Sequence, residues 1–126
     1  MPAKVGVKAR ARVTAGLANA VDAVKTPMGV YLKQVKAAIA SRWYFYMKQR
    51  RDLYATGSAK VSFTITRDGR IRDVRLVHNT SNSAFGMMCE QSVTEAEIAA
   101  PPEEAMPVMP DGKLEHDFTF NYVPIQ

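Results

Sequence analysis

Two histidines, one cysteine and a few acidic side chains are the residues of this chain whose chemistry goes beyond packing and solvation. His78 and His116 are far apart in sequence, and neither sits in a metal-ligand spacing, so no metal site is expected. Cys89, the only cysteine, can form neither an intramolecular disulfide nor a thiolate cluster. It falls at helical spacing with Phe85, Met88, Ser92, Val93 and Ala96, without a basic neighbour to activate it, and reads as a small buried hydrophobe. Asp68 and Asp73 could be imagined as a carboxylate pair, but they fall at a turn and at an expected bulge, so their roles read as structural. No nucleophile motif or glycine-rich phosphate loop appears. The expectation is a protein without enzymatic activity and without a cofactor.

The composition sets the scale. A chain of 126 residues with 47% hydrophobic content has enough material for one core and too little for two. Its net charge of +5 is unevenly distributed: residues 1 to 75 carry sixteen Lys and Arg against four Asp, and residues 76 to 126 carry one Lys against eight acids. Such asymmetry fits a partner of opposite charge, or internal pairing of basic and acidic elements. No apolar run approaches the roughly 20 residues that span a bilayer, and the start lacks the apolar core of a secretory signal. The chain is expected either to be soluble by itself or to be a domain cut from a longer, anchored protein.

The elements follow from periodicity. Residues 1–26 read as a basic linker or partial helix, with Val13, Leu17, Ala20, Val21 and Val24 at helical spacing. Thr26 and Pro27 supply an N-cap and a first helical residue, after which Tyr31, Val35, Ile39 and Trp43 mark the buried stripe of a long helix. Val61, Phe63 and Ile65 alternate with polar residues up to Asp68-Gly69, which predicts a hairpin closed by a turn with a G1 bulge. Ile71 and Val74 are three apart and cannot share one face of a regular strand, so a bulge is expected near Arg72-Asp73.

A polar cluster at residues 79–83 can cap the second helix, and Met106-Pro107-Val108-Met109-Pro110 reads as an extended connector. In the last strand Leu114, His116, Phe118, Phe120 and Tyr122 share the apolar face, with Glu115, Asp117, Thr119 and Asn121 on the other. His116 there reads as a hydrogen-bonded core histidine. The fold class is α+β: a three-stranded antiparallel sheet with two helices packed on one face, in the order α-β-β-α-β.

With these residues in place, the chain resembles the C-terminal domain of TonB and TolA energy transducers over about residues 27 to 123. The likeness is carried by the Tyr31 to Trp43 helix, the Gly57 to Ile65 strand with its Asp68-Gly69 turn, and the Pro107 to Gly112 connector. The closing strand Phe118-Thr119-Phe120-Asn121-Tyr122 completes it. The long first helix is closer to TolA. The paired cysteines of some TolA domains and the Tyr-Pro start of TonB proper are both absent.

The resemblance implies a periplasmic domain, residues 27–126, carried by a linker from a single inner-membrane helix that precedes this chain. It further implies coupling to a proton-driven motor complex through that anchor, and binding of an outer-membrane receptor or a periplasmic Tol- or Ton-type protein peptide. Partners of this family often add a strand to a sheet edge. If the last strand is an edge, the docking residues are Leu114, Glu115, His116, Asp117, Phe118, Thr119, Phe120, Asn121, Tyr122 and Val123. A homodimer formed through the same edge is a further expectation. The competing reading is a nucleic-acid surface built from Lys33, Lys36, Lys48, Arg50, Arg51, Arg70, Arg72 and Arg75 with Tyr44, Phe45 and Tyr54. The acidic second half argues against it, so no nucleic acid is expected.

Overall fold

The computed structural model describes residues 4–13 and 26–125. The elements are β1 (Lys4–Val13), α1 (Pro27–Arg50), β2 (Gly57–Thr66), β3 (Ile71–Asn79), α2 (Ser83–Glu95) and β4 (Lys113–Ile125). The anticipated hairpin, closing strand and two helices are present in the anticipated order. Ahead of them stands a strand, β1, in place of the expected linker or partial helix. It makes the sheet four-stranded, in the order β1-β4-β2-β3 and antiparallel throughout. Most of the helix expected in the leading segment, from Leu17 to Val24, falls outside the described residues.

Each helix begins where a side chain satisfies an orphan backbone donor. Thr26 Oγ1 accepts from Gly29 N–H at 3.0 Å, and Asn82 Oδ1 accepts from Phe85 N–H at 3.0 Å. The α1 stripe is buried as read, with Tyr31, Val35, Ile39 and Trp43 joined by Met28, Leu32 and Met47. Trp43 stacks on Phe120 of β4, with centroids 5.8 Å apart, and meets Phe85 of α2 edge-on. The two helices are also tied at their surface. Glu95 of α2 accepts from the Tyr46 hydroxyl, from Gln91 Nε2 at 2.6 Å and from Arg42 Nη2 at 2.6 Å. Those bonds hold its carboxyl down at about 2.

The β2–β3 turn closes as its sequence requires. Gly69 N–H donates to Thr66 O at 3.0 Å, Thr66 N–H donates to Arg70 O at 2.9 Å, and Gly69 takes φ +82°. A Cβ at Gly69 would also lie 2.8 Å from the backbone of Ala100, so the turn is pinned against the chain leaving α2. The expected bulge is present: Ser62 pairs with Arg75 but Thr64 pairs with Arg72, and Asp73 adopts φ +54°. A second register shift, between Lys60 and Val61, places Val77 as an extra residue.

The connector departs from the extended reading. Residues Glu103–Val108 and Pro110–Gly112 form 3-10 turns. Prolines fit there because the bonds that close the first segment, Ala105 N–H to Pro102 O and Met109 N–H to Met106 O, do not use the missing Pro107 donor. Upstream of these turns, the Tyr31 hydroxyl donates to Ala99 O at 2.7 Å, and burial pushes that phenol up to about 12.

Trp43 links α1 to both β4 and α2, so Trp43→Ala should cost about 4 kcal/mol in urea denaturation with an unchanged m-value. A loss below about 1 kcal/mol would show that this contact does not hold the layers together.

Candidate partner-docking edge

β4 is the longest strand and, like β2, has a neighbour on each side. Toward β2 its register runs from Lys113 opposite Thr66 to Tyr122 opposite Gly57. Toward β1 it runs without a shift from His116 opposite Val13 to Ile125 opposite Lys4. Leu114, His116, Phe118, Phe120 and Tyr122 all point into the core and are at most 6% exposed. Asp117, Thr119 and Asn121 are part-buried, while Glu115 and Val123 are exposed. The expectation that this strand is a free edge is therefore corrected: along His116 to Val123 its outer side carries β1. The signal was present in the leading segment, where Val5, Val7, Ala9, Ala11 and Val13 alternate with Lys4, Gly6, Lys8, Arg10 and Arg12. A search for helical spacing passes over a period of two.

The opposite edge of the sheet is built differently. β3 is interrupted by two register shifts and exposes Arg72, Asp73 and Arg75. The N–H of Leu76 is already bonded, at 3.1 Å, to Glu90 Oε2 of α2. Bulges, charges and a covering helix are the features that prevent strand addition. The side of β4 that carries β1 is regular, and the outer side of β3 is not.

The helix-free face of the sheet holds a depression of about 640 Å³ lined in part by Ser62, Thr64, Asp73, Arg75, Glu115 and Asp117. Lys60 Nζ approaches Asp117 Oδ2 at 3.5 Å, a long contact, and the second carboxylate oxygen, Oδ1, is buried without a hydrogen-bond partner. On the core face His116 is 3% exposed against the edge of Phe63, and its Nδ1 has no partner. It is a core histidine as read, with Nδ1 unsatisfied. Desolvation holds its pKa down at about 4.

The remaining candidates do not converge on this edge. Cys89 is buried, and desolvation pushes its thiol up, as a packing residue requires. Asp68 is occupied within the turn by Thr66 and by Arg70 Nε at 3.0 Å. Among the described residues no group of three or more His, Cys, Asp or Glu could hold a metal ion, and no helix is long and apolar enough to cross a membrane. The basic residues proposed for nucleic acid divide between α1, with Arg51 in the turn that follows it, and the hairpin. Arg70 pairs with Asp68, and Arg75 lines the depression on the helix-free face. Tyr44 and Phe45 are exposed on α1, whereas Tyr54 packs edge-on against Phe85. These residues do not form one surface.

Comparison with known proteins agrees with this architecture. A family profile described as TonB C terminal matches residues 29–121. The chain belongs to the TonB C-terminal domain family. Its fold resembles the solution NMR structure of the Helicobacter pylori TonB C-terminal domain, with a TM-score of 0.54 at 20% identity, over 91% of this chain and 97% of that one. No curated protein matches the sequence. The TonB-like domain is thus a part of the energy-transduction and transport machinery, and β1 lies outside the residues that the family profile matches.

The buried His116 gives this domain an acid limb. Its folded pKa, about 4, lies below the ordinary 6.5, so between those values the unfolded chain binds the extra proton. Stability should be at its full value above pH 6.5 and fall by about 3 kcal/mol as pH drops toward 4. His116→Leu should flatten that limb in denaturation series at stepped pH. An unchanged slope would place the titrating group elsewhere.

Proposed function

We propose that this domain is the periplasmic, non-enzymatic end of a TonB-type energy transducer carried on an inner-membrane-anchored protein. It docks an extended segment of an outer-membrane receptor or another envelope protein by strand addition. The docking strand is β4, through Leu114 to Val123, and the segment lies along the outer side of that strand. The observation that carries this reading is that this side already pairs a strand of ten residues in unbroken antiparallel register.

The chemistry of such an edge suits a transducer. Main-chain hydrogen bonds supply affinity with little dependence on sequence, and alternate side-chain positions supply selectivity. The inward side chains Leu114, His116, Phe118, Phe120 and Tyr122 fix β4 to the core, and Trp43 stacked on Phe120 extends that anchorage to α1. A force applied to a docked strand is passed through its backbone bonds to an element that cannot move without the core.

Titrating a TonB-box-like receptor peptide into the isotopically labelled protein tests the placement. Backbone amide shifts should run along His116 to Val123 and Lys4 to Val13, with β3 unaffected. Shifts confined to β3 or to the basic positions of α1 would contradict it.

A further inference from the structure

The docking edge is already filled by the chain's own first strand, and the composition of that strand is unlike the rest of the sheet. β2 and β4 hold their places with Val61, Phe63, Ile65, Phe118, Phe120 and Tyr122, all buried. β1 offers only Val, Ala and Gly between its basic residues. Burial of an alanine or valine side chain contributes much less than burial of an aromatic ring, and glycine inside a strand weakens it. β1 is also an outer strand, bonded on one side only. It carries none of the aromatic or isoleucine side chains that anchor β2 and β4.

The register adds a chemical pattern. Val7, Ala9, Ala11 and Val13 stand opposite Tyr122, Phe120, Phe118 and His116, the positions where β4 is already bulky and buried. Lys8, Arg10 and Arg12 stand opposite Asn121, Thr119 and Asp117. The helix-free face there carries Glu115 and Asp117, and Asp117 Oδ1 is a buried acceptor without a hydrogen-bond partner. An unsatisfied buried carboxylate oxygen costs free energy until a donor reaches it. A basic side chain at the position opposite Asp117 is the donor that this geometry favours.

We propose that residues 4–13 are a built-in competitor for the docking edge, and that the partner segment which displaces them shares their pattern. That partner is an extended peptide antiparallel to β4, with small aliphatic residues opposite His116, Phe118, Phe120 and Tyr122 and basic residues opposite Asp117, Thr119 and Asn121. The inference rests on β4 being the docking strand and goes beyond it. It states what occupies the edge before the partner arrives, and which partner chemistry the edge selects.

The test uses the whole chain and a synthetic ten-residue peptide with the sequence of residues 4–13. Val7→Pro combined with Lys8→Pro disables β1, because successive residues direct their N–H groups to opposite sides and one of the two prolines must remove a bond to β4. Arg10→Glu combined with Arg12→Glu is a milder variant that leaves the backbone donors intact. In both variants the peptide should bind at least tenfold more tightly than to the unaltered chain, as read from amide shifts on β4, while β2–β3 amides keep their native positions. In the proline variant, a peptide whose four basic residues are replaced by glutamate should bind at least tenfold more weakly than the basic one. Equal binding to the unaltered chain and to the variants overturns the competitor role. Equal binding of the basic and acidic peptides overturns the charge pattern. If no peptide moves the β4 amides in variants whose β2–β3 amides remain native, the docking edge itself is misplaced.

Discussion

Everything in this domain depends on β4 being bonded through its backbone on both sides while five of its side chains are buried on one face. Leu114, His116, Phe118, Phe120 and Tyr122 fill the space under the helices, and Phe120 meets Trp43 while Tyr122 stacks with Phe85. Because side chains in a strand alternate, a slip of one residue would turn all five to solvent, and the register of β4 is correspondingly well specified. A fixed β4 in turn presents a straight, regular side to whatever pairs with it. The hairpin at the other end of the sheet uses the opposite devices, two bulges and a carboxylate from α2, and its outer side is closed to strands.

Periodicity in the sequence was sufficient for most of the fold. Alternation in Val61-Phe63-Ile65 and in Leu114 to Tyr122 reports half-buried strands, and the three-residue step from Ile71 to Val74 implies the bulge found beside Asp73. Thr26-Pro27 and the polar cluster at residues 79–83 point to helix starts, and within that cluster it is Asn82 that supplies the cap. The connector is not extended because proline's missing donor argues against an α-helix but not against short 3-10 turns that leave that donor unused.

The docking edge was only half legible. Its residues were recognisable as a strand with one polar face, but a strand's place in a sheet depends on pairing between distant segments, which local pattern does not reveal. Glycine and basic residues give Lys4 to Val13 the composition of a linker, although its alternation has the period of a strand. Likewise, the Asp117 oxygen without a partner and the unbonded Nδ1 of His116 arise from tertiary packing alone.

Family membership fixes the class of machine, and the local physics describes how this copy is configured. On the proposed reading, a docking side held by an internal strand of small residues is protected from indiscriminate pairing until a better strand arrives, at the cost of a displacement step. Amide hydrogen exchange along β4 tests this account most directly, because alternate residues of the strand bond to β1 and to β2. Local release of β1 should make the amides bonded to it exchange much faster than those bonded to β2, producing a period of two along His116 to Val123. Uniform protection of all these amides at the level of global unfolding would contradict it.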